Sequence, residues 1–531
     1  MPTLETEQRL SQSLLWQLQR NFFEREGMGA WNTGKVPHYA TSNPFMAHAY
    51  AQVIRGFLRD GLRNEQIDPR HPVYIVELGA GSGRFAYHFL KQFFAPPVPS
   101  PLSQLPVKYL MTDFAQRNLD FWQTHRKLQP FLAQNQLDFA RFDISQDQSL
   151  TLVHAGIILT AQTLKNPLIV LANYFFDSIP QDLFTIQNGQ LYETLLTLTS
   201  STPNSDLSDP DLLESLEITY TDRPLTAACA YPDPAFNQIL QTDQSQLQST
   251  TFLFPVVGLN GLKNLRHLSG DRLLLLSADK GYHQDASLEH RGKPRLTFHK
   301  GCFSLMVNYP AIAHYVENQG GIALLPQNRH RSIVIGAFCF GLADPVETHF
   351  AYQTQIEQAS PDDFFTLKKI IEPHFNTLSL PQILAYLRLS GWDHKLFLGC
   401  FENLMAQVET LPEALRSDVY QTLQNVGEMY YFIGEEADLP FQLAMLFYKL
   451  GYYSDALAYL DESLRLHGED PGMFYNKAKC YCELNDSAAA LQMLAHALAL
   501  YPEFEAAQEL WEALQGERTE GQPIVTERSV F

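Results

Sequence analysis

Cysteine is scarce: the chain has 6 in 531 residues. That argues against a disulfide framework and for a reducing, cytoplasmic setting. Cys480 and Cys482 are the one close pair, and two apart in an expected helix they point different ways and read as packing residues. Positive charge is also short, with 38 Lys plus Arg against 58 Asp plus Glu and a formal net charge of −20. A basic surface supplies most non-specific affinity for nucleic acid and for anionic membranes, so neither partner is expected. No apolar run approaches the ~20 residues needed to cross a bilayer. Glu5, Glu7 and Arg9 interrupt the start, which predicts no secretory leader. His283, His290 and His299 are not spaced like a zinc set, and no metal is expected. They read as loop and edge residues, with a base as the other role.

What is present begins with Val73 to Leu90, VYIVELGAGSGRFAYHFL. The apolar run Val73–Val76 predicts a buried strand. Gly79, Gly81 and Gly83 then predict a tight turn. Phe85, Phe89 and Phe93 share one helix face. A strand, a glycine turn and a helix N-terminus let backbone approach a ligand closely. A dinucleotide fingerprint would place its third glycine where Arg84 stands. Instead Glu77-x-Gly79-x-Gly81-x-Gly83 resembles the first motif of the S-adenosylmethionine (SAM) methyltransferases. A bare glycine-rich turn is the alternative.

Residues 4 to 23 predict a helix, with Leu10, Leu14, Leu15, Leu18 and Phe22 on one face. Gly27 to Pro44 predicts a loop, and Ser42 or Asn43 can cap a helix starting at Pro44 and running to about Arg59. Pro96, Pro97, Pro99, Pro101 and Pro106 predict an extended surface stretch. Val107 to Met111 predicts a second strand ending at Asp113, which could hold ribose hydroxyls or cap the helix that follows. Leu137 to Phe142 predicts a third strand ending at Asp143, and Leu164 to Leu171 a fourth. The fourth leads into Asn173, Tyr174 and Asp177. In an open α/β sheet chemistry lies beyond the carboxyl ends of the strands, so these are the best placed for substrate contact. Turn-forming for Asp177 and packing for Tyr174 are the alternatives. Residues 200 to 250 predict an insertion with a few strands. Gly321–Leu325 and Ser332–Phe340 predict a closing hairpin.

A narrower resemblance rests on five pieces in order: YATSNPFMAHAYAQVI (39–54), ELGAGSGRFA, ANYFFDSIPQDLF, LLLLSADKGY (273–282) and TFHKGCFSLMVNYPAIAHYVENQGG (297–321). Together they resemble the MidA family, which includes the mitochondrial complex I assembly methyltransferase, over roughly residues 30 to 345. The resemblance implies a Rossmann-like domain with SAM as cofactor. Glu77, Gly79, Gly81, Gly83, Asp113 and Asp143 would hold it, Asp143 by the adenine amine unless it only caps a turn. Asn173 and Asp177 would line the acceptor site, and Tyr39 and Thr41 would belong to a lid. The family's mitochondrial member methylates an arginine of a partner protein. Two positions depart from the family: Asn173 is followed by Tyr174 where the family usually has Glu, and Lys280 stands inside the family's Asp-Tyr-Gly. Tyr174 cannot supply the charge that pairs a guanidinium.

From about Ser360 the pattern turns helical: Phe364–Ile371, Leu380–Leu389, His394–Val408 and Pro412–Phe432. Gly451, Tyr453, Ala456, Leu460 and Leu464 recur 34 residues later as Asn485, Ser487, Ala490, Leu494 and Leu498. A period of 34 with small residues at fixed places is the tetratricopeptide (TPR) pattern, with units at 437–470 and 471–504. A plain helical bundle is the alternative. Residues 505–515 predict a capping helix and 516–531 a flexible tail. The expected architecture is an α/β Rossmann-like methyltransferase domain (71–350), preceded by a helical region and lid (1–70) and followed by an all-α TPR-like domain (360–515). A concave repeat surface suits a protein substrate or assembly partner. A scaffold without catalysis, or a small-molecule methyltransferase, would keep the same motifs.

Overall fold

The structure is a computed structural model that describes residues 2–95, 101–201, 206, 209–294, 296–327 and 332–520. Pro96, Pro97 and Pro99 lie outside the described residues, as do 202–205 of the expected insertion and 521–531 of the expected tail. The chain divides into two compact units, Met1–Leu367 and Lys368–Phe531.

The first unit opens with strand β1 (Thr3–Arg9), helices α1 (Leu14–Glu26) and α2 (Pro44–Arg63), strand β2 (Val73–Leu78) and helix α3 (Arg84–Phe93). Strand β3 (Val107–Asp113), helix α4 (Gln116–Thr124) and strands β4 (Leu137–Arg141), β5 (Leu168–Asn173), β6 (Asp182–Gln187), β7 (Gln190–Ser200) and β8 (Leu216–Pro224) come next. Helix α5 (Pro234–Gln246), strand β9 (Ser249–Phe254), helix α6 (Val256–Leu268), strand β10 (Leu273–Asp279) and helix α7 (Tyr309–Asn318) follow. Strands β11 (Ile322–Leu324) and β12 (Val334–Phe340) and helix α8 (Val346–Tyr352) complete the main elements.

Every residue of β2, β3, β10 and β12 is buried. Continuous apolar strands of this kind belong in a sheet covered on both faces. They form a seven-stranded sheet in the order β11-β12-β10-β5-β2-β3-β4. β4, β3, β2, β5 and β10 run parallel, with Ile75 of β2 opposite Tyr109 on one side and Ile169 on the other. β12 and β11 turn back antiparallel at one edge, the hairpin expected from the sequence. A second sheet, β1-β7-β6-β9 with β8 on β7, is antiparallel. The inserted layer thus begins at Asp182, earlier than residue 200, and it recruits the first strand of the chain.

That recruitment corrects the helix expected over residues 4–23. Thr3–Arg9 is an edge strand on β7, with Thr3 opposite Thr199 and Arg9 opposite Leu195. The pairing partner lies about 190 residues away, where local periodicity carries no information. The helix starts only at Leu14, after Ser13 accepts a hydrogen bond from Leu15 N. The expected loop 27–44 contains two single-turn helices, Gly29–Asn32 and Tyr39–Ser42. β5 starts at Leu168 rather than Leu164, because Pro167 has no N–H to give a central ladder.

Asn43 caps α2 by accepting from Met46 N at 2.9 Å, with Pro44 in the first turn. This helix crosses α8 so closely that a Cβ on Gly56 would lie 2.6 Å from the Glu347 carbonyl oxygen. Fully buried Asp60, one turn on, accepts from Glu347 N (3.1 Å), Thr348 N (2.8 Å) and Thr348 Oγ1 (2.7 Å). Asp60→Ala would orphan these buried donors and should cost about 3 kcal/mol, read as a lower urea midpoint.

In the second unit, Leu380–Leu389 and His394–Val408 are helical over the expected spans, and Glu413–Met429 lies within its expected span. Leu439–Lys449 packs on Tyr453–His467, and Pro471–Glu483 on Ser487–Leu500. The two pairs repeat locally. Gly451 (φ 80°) and Asn485 (φ 59°) make the same left-handed turn between their helices. Ala444 and Ala478, Ala456 and Ala490, and Leu460 and Leu494 are all fully buried. Small buried residues let paired helices approach closely. The last helix, Glu505–Glu520, runs five residues into the expected tail, in keeping with its Glu, Gln and Arg content.

Candidate active site

The five parallel strands end on one side of the sheet, and a cavity of about 370 Å³ opens there. Its wall includes Glu77 and Gly79–Ser82 after β2, Asp113 and Phe114 after β3, and Phe142–Gln146 after β4. Asn173–Tyr174–Phe175 and Asp177–Pro180 follow β5, and Lys280 follows β10. From β2 the sheet order departs toward β3 on one side and β5 on the other. That reversal leaves a crevice at the strand ends, the general position of ligands in open α/β sheets.

The glycine turn forms the floor. Gly79, Gly81 and Gly83 all have positive φ, at 60°, 54° and 78°. A Cβ on Gly81 would lie 2.8 Å from Trp31 Cζ2. The Gly81 peptide is fixed on both sides: its N–H donates to Asp113 Oδ2 at 3.2 Å, and its carbonyl accepts from Trp122 Nε1 at 3.0 Å. Gly83 does not line the cavity, in contrast to the expectation. It turns the chain into α3, and its N–H is spent on the Ala80 carbonyl. The other seven residues expected to hold the cofactor or line the acceptor site (Glu77, Gly79, Gly81, Asp113, Asp143, Asn173 and Asp177) line the cavity, as does Tyr174, whereas Tyr39 of the expected lid does not.

The acids have distinct environments. Burial pushes the Glu77 carboxyl up to about 8; the Tyr109 hydroxyl, which donates to Glu77 Oε2 at 3.0 Å, opposes that shift, and the charge of Asp113 adds to it. Burial likewise raises Asp113, although it accepts from Ala115 N (3.0 Å) and Asn118 Nδ2 (2.9 Å) as well as Gly81. Asp113 thus closes the turn to Ala115, but it does not cap the helix, whose N-cap position is Ala115 itself. Asp143 is half-buried and held below the ordinary carboxylate range: burial works upward, and Ser145 and Arg20 outweigh it. Arg20 Nη1 donates to Asp143 Oδ2 at 2.5 Å while its guanidinium lies 4.5 Å from the Phe114 ring centroid.

Glu77 yields a pH prediction. Its folded pKa lies above the ordinary 4.5, so the neutral form is the one folding favours. That stability is complete below about pH 4.5 and is lost as pH rises toward about 8. Glu77→Gln should therefore flatten the fall of the thermal midpoint across this window, removing a slope of up to about 1.4 kcal/mol per pH unit.

Beyond β5 the backbone is forced. Tyr174 has φ 48°, in the left-handed region, and its N–H donates to the Ala278 carbonyl at 2.9 Å. The carboxyl of Asp279, at the end of β10 and fully buried, accepts from Phe175 N (3.4 Å) and Phe176 N (3.1 Å). Asp177 faces it; burial pushes Asp177 up to about 6 and Asp279 well above its ordinary value. Tyr50, whose burial keeps its hydroxyl protonated, donates to Asn173 Oδ1 at 2.8 Å. This fixes the amide, and Asn173 Nδ2 is left as a buried donor with no protein partner.

The sequence reading missed the roof. Trp16, Gln19, Arg20 and Phe23 of α1 all line the cavity. Gln19 ties the roof to the far wall: its Nε2 donates to the Ser178 carbonyl at 3.0 Å, and its Oε1 accepts from Phe303 N at 2.8 Å. Residues 16, 19, 20 and 23 follow helical spacing on a face distinct from the leucines, a signal that would have marked a second buried face. Thr41 and Ser42 also line the cavity, and Lys280 brings a positive charge to it.

The residues fit a SAM-sized ligand with an amino acid moiety and a nucleoside. Asn173 offers an unused amide donor, the glycine turn admits close backbone approach, and acidic groups and the rings of Trp31, Phe114 and Phe175 surround the space.

No curated protein matches the chain in sequence. Among solved structures it is similar to an uncharacterized superfamily protein from Burkholderia thailandensis, at 12% identity and TM-score 0.38, over 64% of this chain and 89% of that one. A member of the same superfamily from that organism, bound to S-adenosyl-homocysteine, is similar at 12% identity and TM-score 0.39 over the same shares. Residues 63–308, which carry all five parallel strands, match the family described as "Putative S-adenosyl-L-methionine-dependent methyltransferase", and SAM is the cofactor of that part of the chain.

Proposed function

We propose that the protein is a SAM-dependent methyltransferase that modifies a protein substrate, with the cavity at the strand ends as its active site. The observation that carries this reading is the cavity at the carboxyl ends of β2, β3, β4, β5 and β10, floored by Gly81 and bounded by Asn173 and Asp177. Bound SAM supplies an activated sulfonium methyl, so the chain has to position, orient and exclude water. In this reading Gly79 and Gly81 admit the donor in a Rossmann-like crevice, and Asp113 and Asp143 hold ribose and adenine; that both acids line the cavity supports it. Asn173 Nδ2, oriented by Tyr50, is a donor for an oxygen of the bound methyl donor or of the substrate backbone.

The acceptor enters beside Tyr174 and Asp177. The MidA likeness favours a guanidinium, and here the charge that Tyr174 lacks comes from the Asp177–Asp279 pair. Asp177 brings the acidic group to the cavity wall, with Asp279 buried behind it. The paired helices of the second unit, with their 34-residue spacing, support a TPR-like surface for docking the substrate protein.

The test is transfer of labelled methyl from SAM to proteome fractions and, separately, to a metabolite extract. Label in protein, recovered on arginine after hydrolysis, is expected. Label only in metabolites would replace the protein substrate with a small molecule. SAM binding without transfer to either would leave a scaffold.

A further inference from the structure

Outside the cavity, three ligating side chains converge from separate segments. Asp243 comes from the last turn of α5, Asp285 opens the 3-10 turn Asp285–Leu288, and His314 projects from the middle of α7. One ligand atom from each lies within 4.8 Å of the other two. None of the three lines the methyl-donor cavity.

The partners present do not satisfy this group. Asp243 is 1% exposed, and its Oδ2 has no hydrogen-bond partner. Burial pushes that carboxyl up to about 7; His314 pulls against the shift and the charge of Asp285 adds to it. His314 turns Nε2 toward Asp285 Oδ1 at 3.3 Å, and its buried Nδ1 has no partner either. Two carboxylates and one imidazole thus meet with an orphaned oxygen and an orphaned nitrogen. Leaving such groups unpaired in a protein interior costs several kcal/mol. A divalent cation offsets two negative charges and takes oxygen and nitrogen donors together.

The donor set narrows the cation. An imidazole with two carboxylates suits Zn²⁺ and neighbouring first-row ions, whereas Mg²⁺ and Ca²⁺ favour all-oxygen shells. Asp285 and His314 are partly exposed, which gives the ion a way in and leaves its remaining positions to water.

We propose that Asp243, Asp285 and His314 form a site for one Zn²⁺-class divalent cation that staples α5, the 285–288 turn and α7. The site is structural. Asp285 lies five residues beyond Lys280, so the ion fixes the segment that leaves the cavity wall.

The test uses the full-length protein freed of metal with a chelator and titrated with Zn²⁺ against a chromogenic competitor. One equivalent should bind and raise the thermal midpoint, and Co²⁺ loaded into the metal-free protein in its place should give a visible ligand-field band that Zn²⁺ abolishes, while millimolar Mg²⁺ should not compete. Asp243→Asn and His314→Gln should each weaken that equivalent at least about tenfold while S-adenosyl-homocysteine still binds. Should Asp243→Asn fail to fold, half-exposed Asp285→Asn carries the same comparison. No Zn²⁺ bound by the parent, an equivalent that survives every variant, or equal binding of Mg²⁺ would overturn the proposal.

Discussion

Gly81→Arg should lose SAM affinity by at least about 100-fold in calorimetric titration, with the fold retained. At φ 54° any L side chain sits in the left-handed region, at a cost of roughly 1–2 kcal/mol. The new Cβ would also lie 2.8 Å from Trp31, which has to leave the cavity wall. Gly81 is fixed from both sides, by Asp113 on its N–H and Trp122 on its carbonyl. The strain therefore passes into Asp113, the residue proposed above to hold ribose, rather than into solvent. A variant that melts like the parent yet binds SAM as tightly would show that the ligand avoids the glycine turn.

Asp279→Ala should lower stability by about 3 kcal/mol and abolish methyl transfer together. The carboxyl accepts the N–H groups of Phe175 and Phe176, and these bonds hold Tyr174 at φ 48°. Without it, two buried donors go unsatisfied and a backbone conformation that itself costs about 1–3 kcal/mol loses its clamp. Asn173 and Asp177, on either side of the turn, would shift with it. Asp279→Asn is the informative partner. Burial and the neighbouring Asp177 favour the protonated acid, and an amide keeps a carbonyl oxygen in the same shape. The Asn variant should recover most of the stability. Equal damage from both would point to a charge at this position instead.

The strand-turn-helix around Gly81 was legible because each part has its own local signature: an apolar run, glycines at the turn, and aromatic spacing. So were the strand ends at Asp113 and Asn173, and the helix spans around 380–408. Other features lie in contacts that no local pattern encodes. Thr3–Arg9 became a strand because β7 offered it an edge. Gly83 looked equivalent to Gly79 and Gly81, yet its place one residue before the helix turned it away from the cavity. Asp279 read as part of a turn motif, and only folding shows its carboxyl reaching across to the strand beside it. Arg20 was invisible as a partner of Asp143, 123 positions away.

The roof of the cavity also sets an order of events during synthesis. Trp16, Phe22 and Phe23 leave the ribosome well before the surfaces they seal, which include Cys302 and Phe303. Those residues emerge some 280 positions later, about 14–56 s at the usual pace of translation. For that interval a nascent helix rich in Leu, Trp and Phe has no finished surface to cover. It is a natural point of contact for chaperones, and slowing translation between residues 26 and 304 should lengthen its exposure.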